Sequence, residues 1–137
     1  MKLYLDANVA IALVLEEENS ARARTLLAGA EGLILSDFAR AECVSSLGRF
    51  VRTGRLSDRA ARRTIAALDA LGAQCGQCVL DPLDLAQAEG WMRSLTLRLR
   101  TPDALHLALT LRCGARLATM DRALAGDAAT LGIPLAA

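Results

Sequence analysis

The chain has 137 residues, 53% hydrophobic and 23% charged, a composition that excludes a disordered polypeptide. Sixteen basic against fifteen acidic residues leave a net charge of +1, which excludes a polycation that holds nucleic acid by bulk charge. The longest apolar run, Val9–Leu15, stops at Glu16-Glu17-Glu18, far short of a membrane span.

The length suits one domain over 1–137. Asp6 interrupts the N-terminal apolar stretch and no small-residue cleavage site follows it, so no export signal is expected and the cytosol is the expected compartment. The four cysteines, Cys43, Cys75, Cys78 and Cys113, are then expected to be reduced thiols without a function. Cys75-Gly76-Gln77-Cys78 has redox or zinc spacing but leads into a strand, where a redox pair would open a helix.

In chain order, Lys2–Leu5 reads as a strand and 7–15 as an apolar helix. A helix follows over 19–28, a turn bracketed by Gly29 and Gly32, and a strand at Leu33-Ile34-Leu35. Ser36 or Asp37 caps a third helix that Gly54 ends, and Ser57 caps a fourth in which Ala61, Ile65 and Leu68 share a face. Cys78-Val79-Leu80 is the third strand, and Pro82 opens a fifth helix containing Trp91. Thr101-Pro102 reads as an N-cap with proline at the first helical position, and the sixth helix runs to Cys113. A strand at 116–119, a helix over 122–131 and an edge strand at Ile133-Pro134-Leu135 complete the pattern. Strands alternating with helices predict an α/β fold with a parallel sheet covered on both faces, whose sites lie at the carboxyl ends of the strands.

Fifteen of the sixteen basic residues are arginine. Seven lie between Arg40 and Arg63 against two acids, a local +5, and five between Arg93 and Arg116 against Asp103, a local +4. A solvated helix face accounts for any one of them, but two such clusters point to a phosphate-bearing partner. The only aromatic residues, Tyr4, Phe38, Phe50 and Trp91, are too few for a platform that stacks bases.

Most of the acids read as caps or solvated helix ends, but four fit less easily. Asp6 and Asp121 each follow a strand, Asp103 opens an almost wholly apolar helix, and Glu42 lies one turn into the third helix. Singly, each reads as a cap or a surface acid. Together they converge at one end of a parallel sheet, where four carboxylates with no basic partner repel one another unless a hard divalent cation joins them. Asn8 and Thr119 stand near enough in sequence to steady water or carboxylate oxygens there. Metal-activated water on a phosphodiester needs neither histidine nor lysine, and this chain has one of each. The single histidine, His106, lies three residues after Asp103 and reads as a core residue. No phosphate-binding glycine loop occurs.

LYLDANVAIAL at 3–13, LSDFARAEC at 35–43, TPDALHLALT at 101–110 and LATMDRAL at 117–124 resemble, in order and spacing, the PIN-domain ribonucleases, specifically the VapC-like toxins of bacterial toxin–antitoxin modules. The resemblance implies a three-layer α/β/α fold with a central parallel sheet of about five strands. It implies a Mg²⁺- or Mn²⁺-dependent endoribonuclease whose acidic pocket is Asp6, Glu42, Asp103 and Asp121, supported by Asn8 and Thr119. It also implies a homodimer neutralised by a small antitoxin. One alternative is a PIN-like protein-binding module with an inert pocket. The other is a phosphohydrolase with Asp6 as nucleophile, similar to the haloacid dehalogenases. That family has a second aspartate where this chain has Asn8, and a phosphate-steadying lysine, whereas Lys2 precedes the strand.

Overall fold

The computed structural model describes residues 1–136. The chain runs β1 (Lys2–Leu5), α1 (Ala7–Val14), α2 (Ser20–Leu26), β2 (Gly32–Ser36), α3 (Asp37–Arg52), α4 (Asp58–Gln74), β3 (Gly76–Cys78), α5 (Pro82–Met92), α6 (Thr101–Arg112), β4 (Arg116–Ala118) and α7 (Arg122–Thr130). The strands stand in the order β3-β2-β1-β4, all parallel, with Tyr4 between Ile34 and Leu117.

Side chains alternate across β1 and divide the core in two. Leu3 and Leu5 pack with Val9, Ala10, Ala23, Ala39, Cys43 and Leu68, so α1 to α4 cover one face. Tyr4 packs with Ala88, Leu105, Leu109, Leu117, Leu124 and Ala128, so α5 to α7 cover the other. This is the expected three-layer α/β/α arrangement.

Among the described residues the sheet has four strands, where about five are expected. Ile133–Leu135 contributes a single parallel bridge, Leu117 to Leu135. Pro134 has no N–H to give, and the Ile133 N–H is spent on Ala128 O at the end of α7, so the segment cannot extend the ladder. β3 lies two residues earlier than Cys78–Leu80. Val79 O instead accepts from Arg112 Nη2 at 2.6 Å, and Leu80 N donates to Asp37 Oδ1 at 2.9 Å, so both residues are tied to side chains and have left the sheet.

Helix starts follow their caps. Ser36 and Ser57 accept from Ala39 N and Ala60 N, and Asp81 with Asp84 forms a capping box. At α6 the expectation is off by one residue: Thr101 is already helical and Arg100 is the N-cap, without a side-chain bond.

The expectation of four reduced thiols fails for two of them. Cys78 and Cys113 form a disulfide, their Cα atoms 7.0 Å apart, while Cys43 and Cys75 are free. The C-terminus of α6 lies over the end of β3, and this brings together cysteines 35 residues apart in sequence. The same crossing carries an ion pair. Arg112 forks onto Asp84, Nε to Oδ1 at 2.8 Å and Nη2 to Oδ2 at 2.9 Å, while Asp84 is 2% exposed.

Candidate active site

β1 and β4 are neighbours at the centre of the site, and Asp6 N donates to Ala118 O at 3.0 Å where both strands end. The Asp6 side chain is doubly engaged. Oδ1 accepts from Ala7 N at 2.7 Å, capping α1, and Oδ2 accepts from Thr119 Oγ1 at 2.7 Å. Thr119 Oγ1 in turn accepts from Asp121 N at 3.0 Å, so one hydroxyl links the two strand-end acids. Asn8 Oδ1 lies 3.4 Å from Met120 N and ties α1 to the same loop. Asp121 caps α7 through Oδ1, which accepts from Ala123 N and Leu124 N.

These residues line a cleft of about 380 Å³ at the carboxyl end of the sheet. Asp6, Asn8, Glu42, Asp103 and Asp121 all contribute to its wall, and Thr119 supports Asp6 from behind it. Asp103 also lies 3.5 Å from the guanidinium of Arg100, on the rim. The four carboxylates do not form one tight cluster. Ligand atoms of Asp6, Glu42 and His106 fall within 4.8 Å of one another, while Asp103 and Asp121 stand farther out on the same cleft.

His106 corrects the picture of acids with no basic partner. It is 2% exposed, as a core residue should be, yet its Nε2 bonds Glu42 Oε1 and lies 3.5 Å from Asp6 Oδ1. Its spacing from Asp103 was the available signal: residues three apart share a helix face. Burial pushes the Asp6 pKa up; His106, the Thr119 hydroxyl and the Ala7 N–H pull it back, and the net position is above the ordinary carboxylate value. Burial also raises Tyr4, so the phenol keeps its proton, and pushes the Cys43 thiol up to about 12, which makes it an inert core group.

The first arginine cluster is divided. Arg49 lines the cleft beside Ser46 and Phe50. The Arg55 guanidinium stacks 4.1 Å from the Phe50 ring centroid and lies 3.3 Å from Glu17, also on the cleft wall. Arg52 and Arg62 instead border a separate apolar groove between α3 and α4, and Arg40 pairs with Asp69. In the second cluster, Arg93, Arg100 and Arg112 pair with Glu89, Asp103 and Asp84.

The donor set suits a small hard cation. Apart from His106 and the Met120 thioether, every group on the cleft wall able to ligate offers oxygen, and the His106 Nε2 is already taken up by Glu42.

Residues 3–126 match the PIN domain family model. Ribonuclease VapC46 of Mycobacterium tuberculosis is 33% identical over 138 residues, covering 98% of this chain and 96% of that protein. Among solved structures, Mycobacterium tuberculosis VapC20, a sarcin-ricin loop cleaving toxin, superposes with a TM-score of 0.72 at 19% identity, covering 91% of this chain and 94% of the other. The VapBC2 structure from Rickettsia felis, bound to a promoter DNA fragment, gives 0.69 at 12% identity, covering 98% and 96%. At those identities the likeness is one of fold.

Proposed function

The chain belongs to the PIN-domain family, and from that premise we propose that it is a metal-dependent endoribonuclease acting as the toxin of a toxin–antitoxin pair. The observation that carries this reading is the cleft at the carboxyl end of the sheet, walled by Asp6, Glu42, Asp103 and Asp121. These four residues would hold Mg²⁺, with Mn²⁺ as a substitute. The cation supplies activation of water and charge neutralisation at the scissile phosphodiester. Thr119 and the Ala7 N–H hold Asp6 in one rotamer, and Thr119 keeps the Asp121 backbone beside it. The acids repel an RNA strand by themselves, so Arg49, on the same wall, is the natural contact for a neighbouring phosphate.

The deciding experiment is RNA cleavage by chelator-treated protein with Mg²⁺, Mn²⁺ or no metal added. Cleavage that depends on either ion supports the reading. A protein inert with both ions is better read as a binding module, and a trapped phosphoenzyme on Asp6 would identify a phosphohydrolase.

Arg49→Ala should weaken RNA binding across sequences and flatten the log–log salt dependence by roughly 0.7–0.9. Arg55→Ala should do the same where its stacked guanidinium meets the strand, whereas Arg52→Ala, on the other groove, should leave the slope unchanged. Equal slopes for wild type and Arg49→Ala, measured by anisotropy against salt, would return Arg49 to the plain solvated surface.

An antitoxin that inserts an arginine or lysine into the acidic cleft would exclude both Mg²⁺ and RNA, since a guanidinium pairs two carboxylates at once. A homodimer and a cytoplasmic setting complete the proposal; among the described residues no helix is long and apolar enough to cross a membrane. Co-expression with the product of an adjacent small gene should yield a complex that cleaves RNA far more slowly than the free protein. A complex as active as the free protein would count against the antitoxin.

A further inference from the structure

Behind the cleft lies a chain of buried polar groups that the proposed reaction does not use. Ser36 Oγ, Tyr4 Oη and His106 Nδ1 are joined by two hydrogen bonds of 2.8 Å each, and the three residues are 0%, 0% and 2% exposed. The direction of these bonds can be worked out. Ser36 Oγ already accepts from Ala39 N at 3.0 Å, as the N-cap of α3. Among the described residues the acceptor that its own proton meets is Tyr4 Oη. Tyr4, having accepted, donates to His106 Nδ1. Nδ1 is therefore the bare nitrogen, and the ring proton sits on Nε2, facing Glu42 Oε1 with Asp6 Oδ1 beside it at 3.5 Å. Running the chain the other way turns Tyr4 toward Ser36 and strands the buried Ser36 proton without an acceptor, a costly arrangement.

The ring is also fixed by packing. The Phe38 ring lies against it at a centroid distance of 5.0 Å and Tyr4 meets it edge-on at 5.7 Å, while Thr110 donates to the His106 carbonyl.

We propose that His106 is a positioning residue: the Ser36–Tyr4 relay selects its Nε2–H tautomer, and that N–H orients the Glu42 carboxylate toward the cleft, beside Asp6, while keeping the imidazole out of the metal's ligand set. The role rests on the metal-nuclease reading above, and it assigns a task to the one histidine of the chain. Hydrogen-bond partners of ligating carboxylates commonly matter about 10–100-fold in metal affinity.

Because there is one histidine, a long-range proton–nitrogen spectrum of uniformly ¹⁵N-labelled protein reports it without assignment. In metal-free wild type at mildly alkaline pH, Nδ1 should resonate as an unprotonated nitrogen and Nε2 as a protonated one. Adding Mg²⁺ should leave Nε2 protonated. Tyr4→Phe removes the donor that selects the tautomer, so it should give a mixed spectrum and weaken Mn²⁺ binding, measured by calorimetry, about 10-fold. His106→Leu should lose about 10–100-fold, and His106→Gln, whose amide can still donate to Glu42, should recover part of that loss.

A proton on Nδ1, protons on both nitrogens, or loss of the Nε2 proton when Mg²⁺ is added would overturn the role, the last by making the imidazole a ligand. Unchanged Mn²⁺ affinity in both Tyr4→Phe and His106→Leu, or no Mg²⁺ or Mn²⁺ binding by wild type, would overturn it too. Cleavage separates the two proposals. Wild type that keeps the tautomer and the metal response but cuts no RNA refutes the nuclease. Wild type that cuts RNA with the opposite tautomer refutes only the part given to His106.

Discussion

Asp6→Asn should lower RNA cleavage by more than about 100-fold and, in the absence of metal, raise the melting temperature. The two effects share one cause. Asp6 is 7% exposed and faces Glu42, and the Thr119, Ala7 and His106 groups do not fully offset its desolvation, so its carboxyl sits above the ordinary range. An acid whose folded pKa is raised binds its proton more tightly folded than unfolded. Stability therefore falls as pH rises from the unfolded value through the folded one, and the cost persists at neutral pH. Asparagine carries no charge to desolvate and remains a good N-cap for α1. It cannot supply a carboxylate to the cation. Thermal unfolding in chelator should show the variant ahead of wild type at neutral pH, with the gap closing below the ordinary carboxylate range. Wild-type cleavage by rigorously purified Asp6→Asn would remove Asp6 from the reaction, and a lower melting point at neutral pH would contradict the electrostatic account.

The second large effect lies where the end of α6 crosses α5. Arg112→Ala should cost about 2–3 kcal/mol of stability, because it leaves Asp84 buried and unpaired. A fully buried pair would cost about 3–5 kcal/mol; the discount reflects the 37% exposure of the Arg112 side chain. Burial alone would raise the Asp84 pKa, but the Arg112 bonds, the Asp81 N–H and the Arg112 charge outweigh it and hold the carboxyl below its usual range. For an acid with a depressed pKa the stabilisation is present above the unfolded value and is lost as pH falls through the folded value. Wild type should therefore lose stability in strong acid, and Arg112→Ala should lack this component. Urea unfolding from neutral pH downward measures both. A cost under about 0.5 kcal/mol would mean that water solvates Asp84 as well as the guanidinium does.

Local rules made much of this protein legible. Ser36, Ser57 and Pro82 mark helix starts because a cap hydroxyl or a missing N–H acts within one turn, and alternation at Leu3-Tyr4-Leu5 shows which side chains meet which layer. What sequence could not supply were relations between distant elements. The sequence pattern puts β3 two residues too late because the apolar Val79-Leu80 looks like strand, while its backbone is claimed by Arg112 and Asp37 side chains from elsewhere in the chain. The Cys78–Cys113 bridge was hidden for the same reason: the nearer partner in sequence, Cys75, is not the nearer one in space. In the site, the strand-end acids Asp6 and Asp121 could be read from topology. The contact of His106 with Glu42 depends on how α3 leans over α6, which no periodicity encodes.

The order of the sheet bears on how such a protein is made. β1 is first in the chain, and one of its two neighbours, β4, is last of the strands. Thr119 reaches Asp6 across a separation of 113 residues. A growing polypeptide can pair β1 with β2 early, but it has no Thr119 to hold Asp6, no Asp121 and no second wall for the cleft until that late stretch has emerged. Translation proceeds at about 5–20 residues per second, so for several seconds the nascent chain lacks part of the acidic cleft. For a protein whose proposed target is RNA, a topology that completes the proposed site last would leave that site unfinished while the chain is still beside the messenger and the ribosome that produce it.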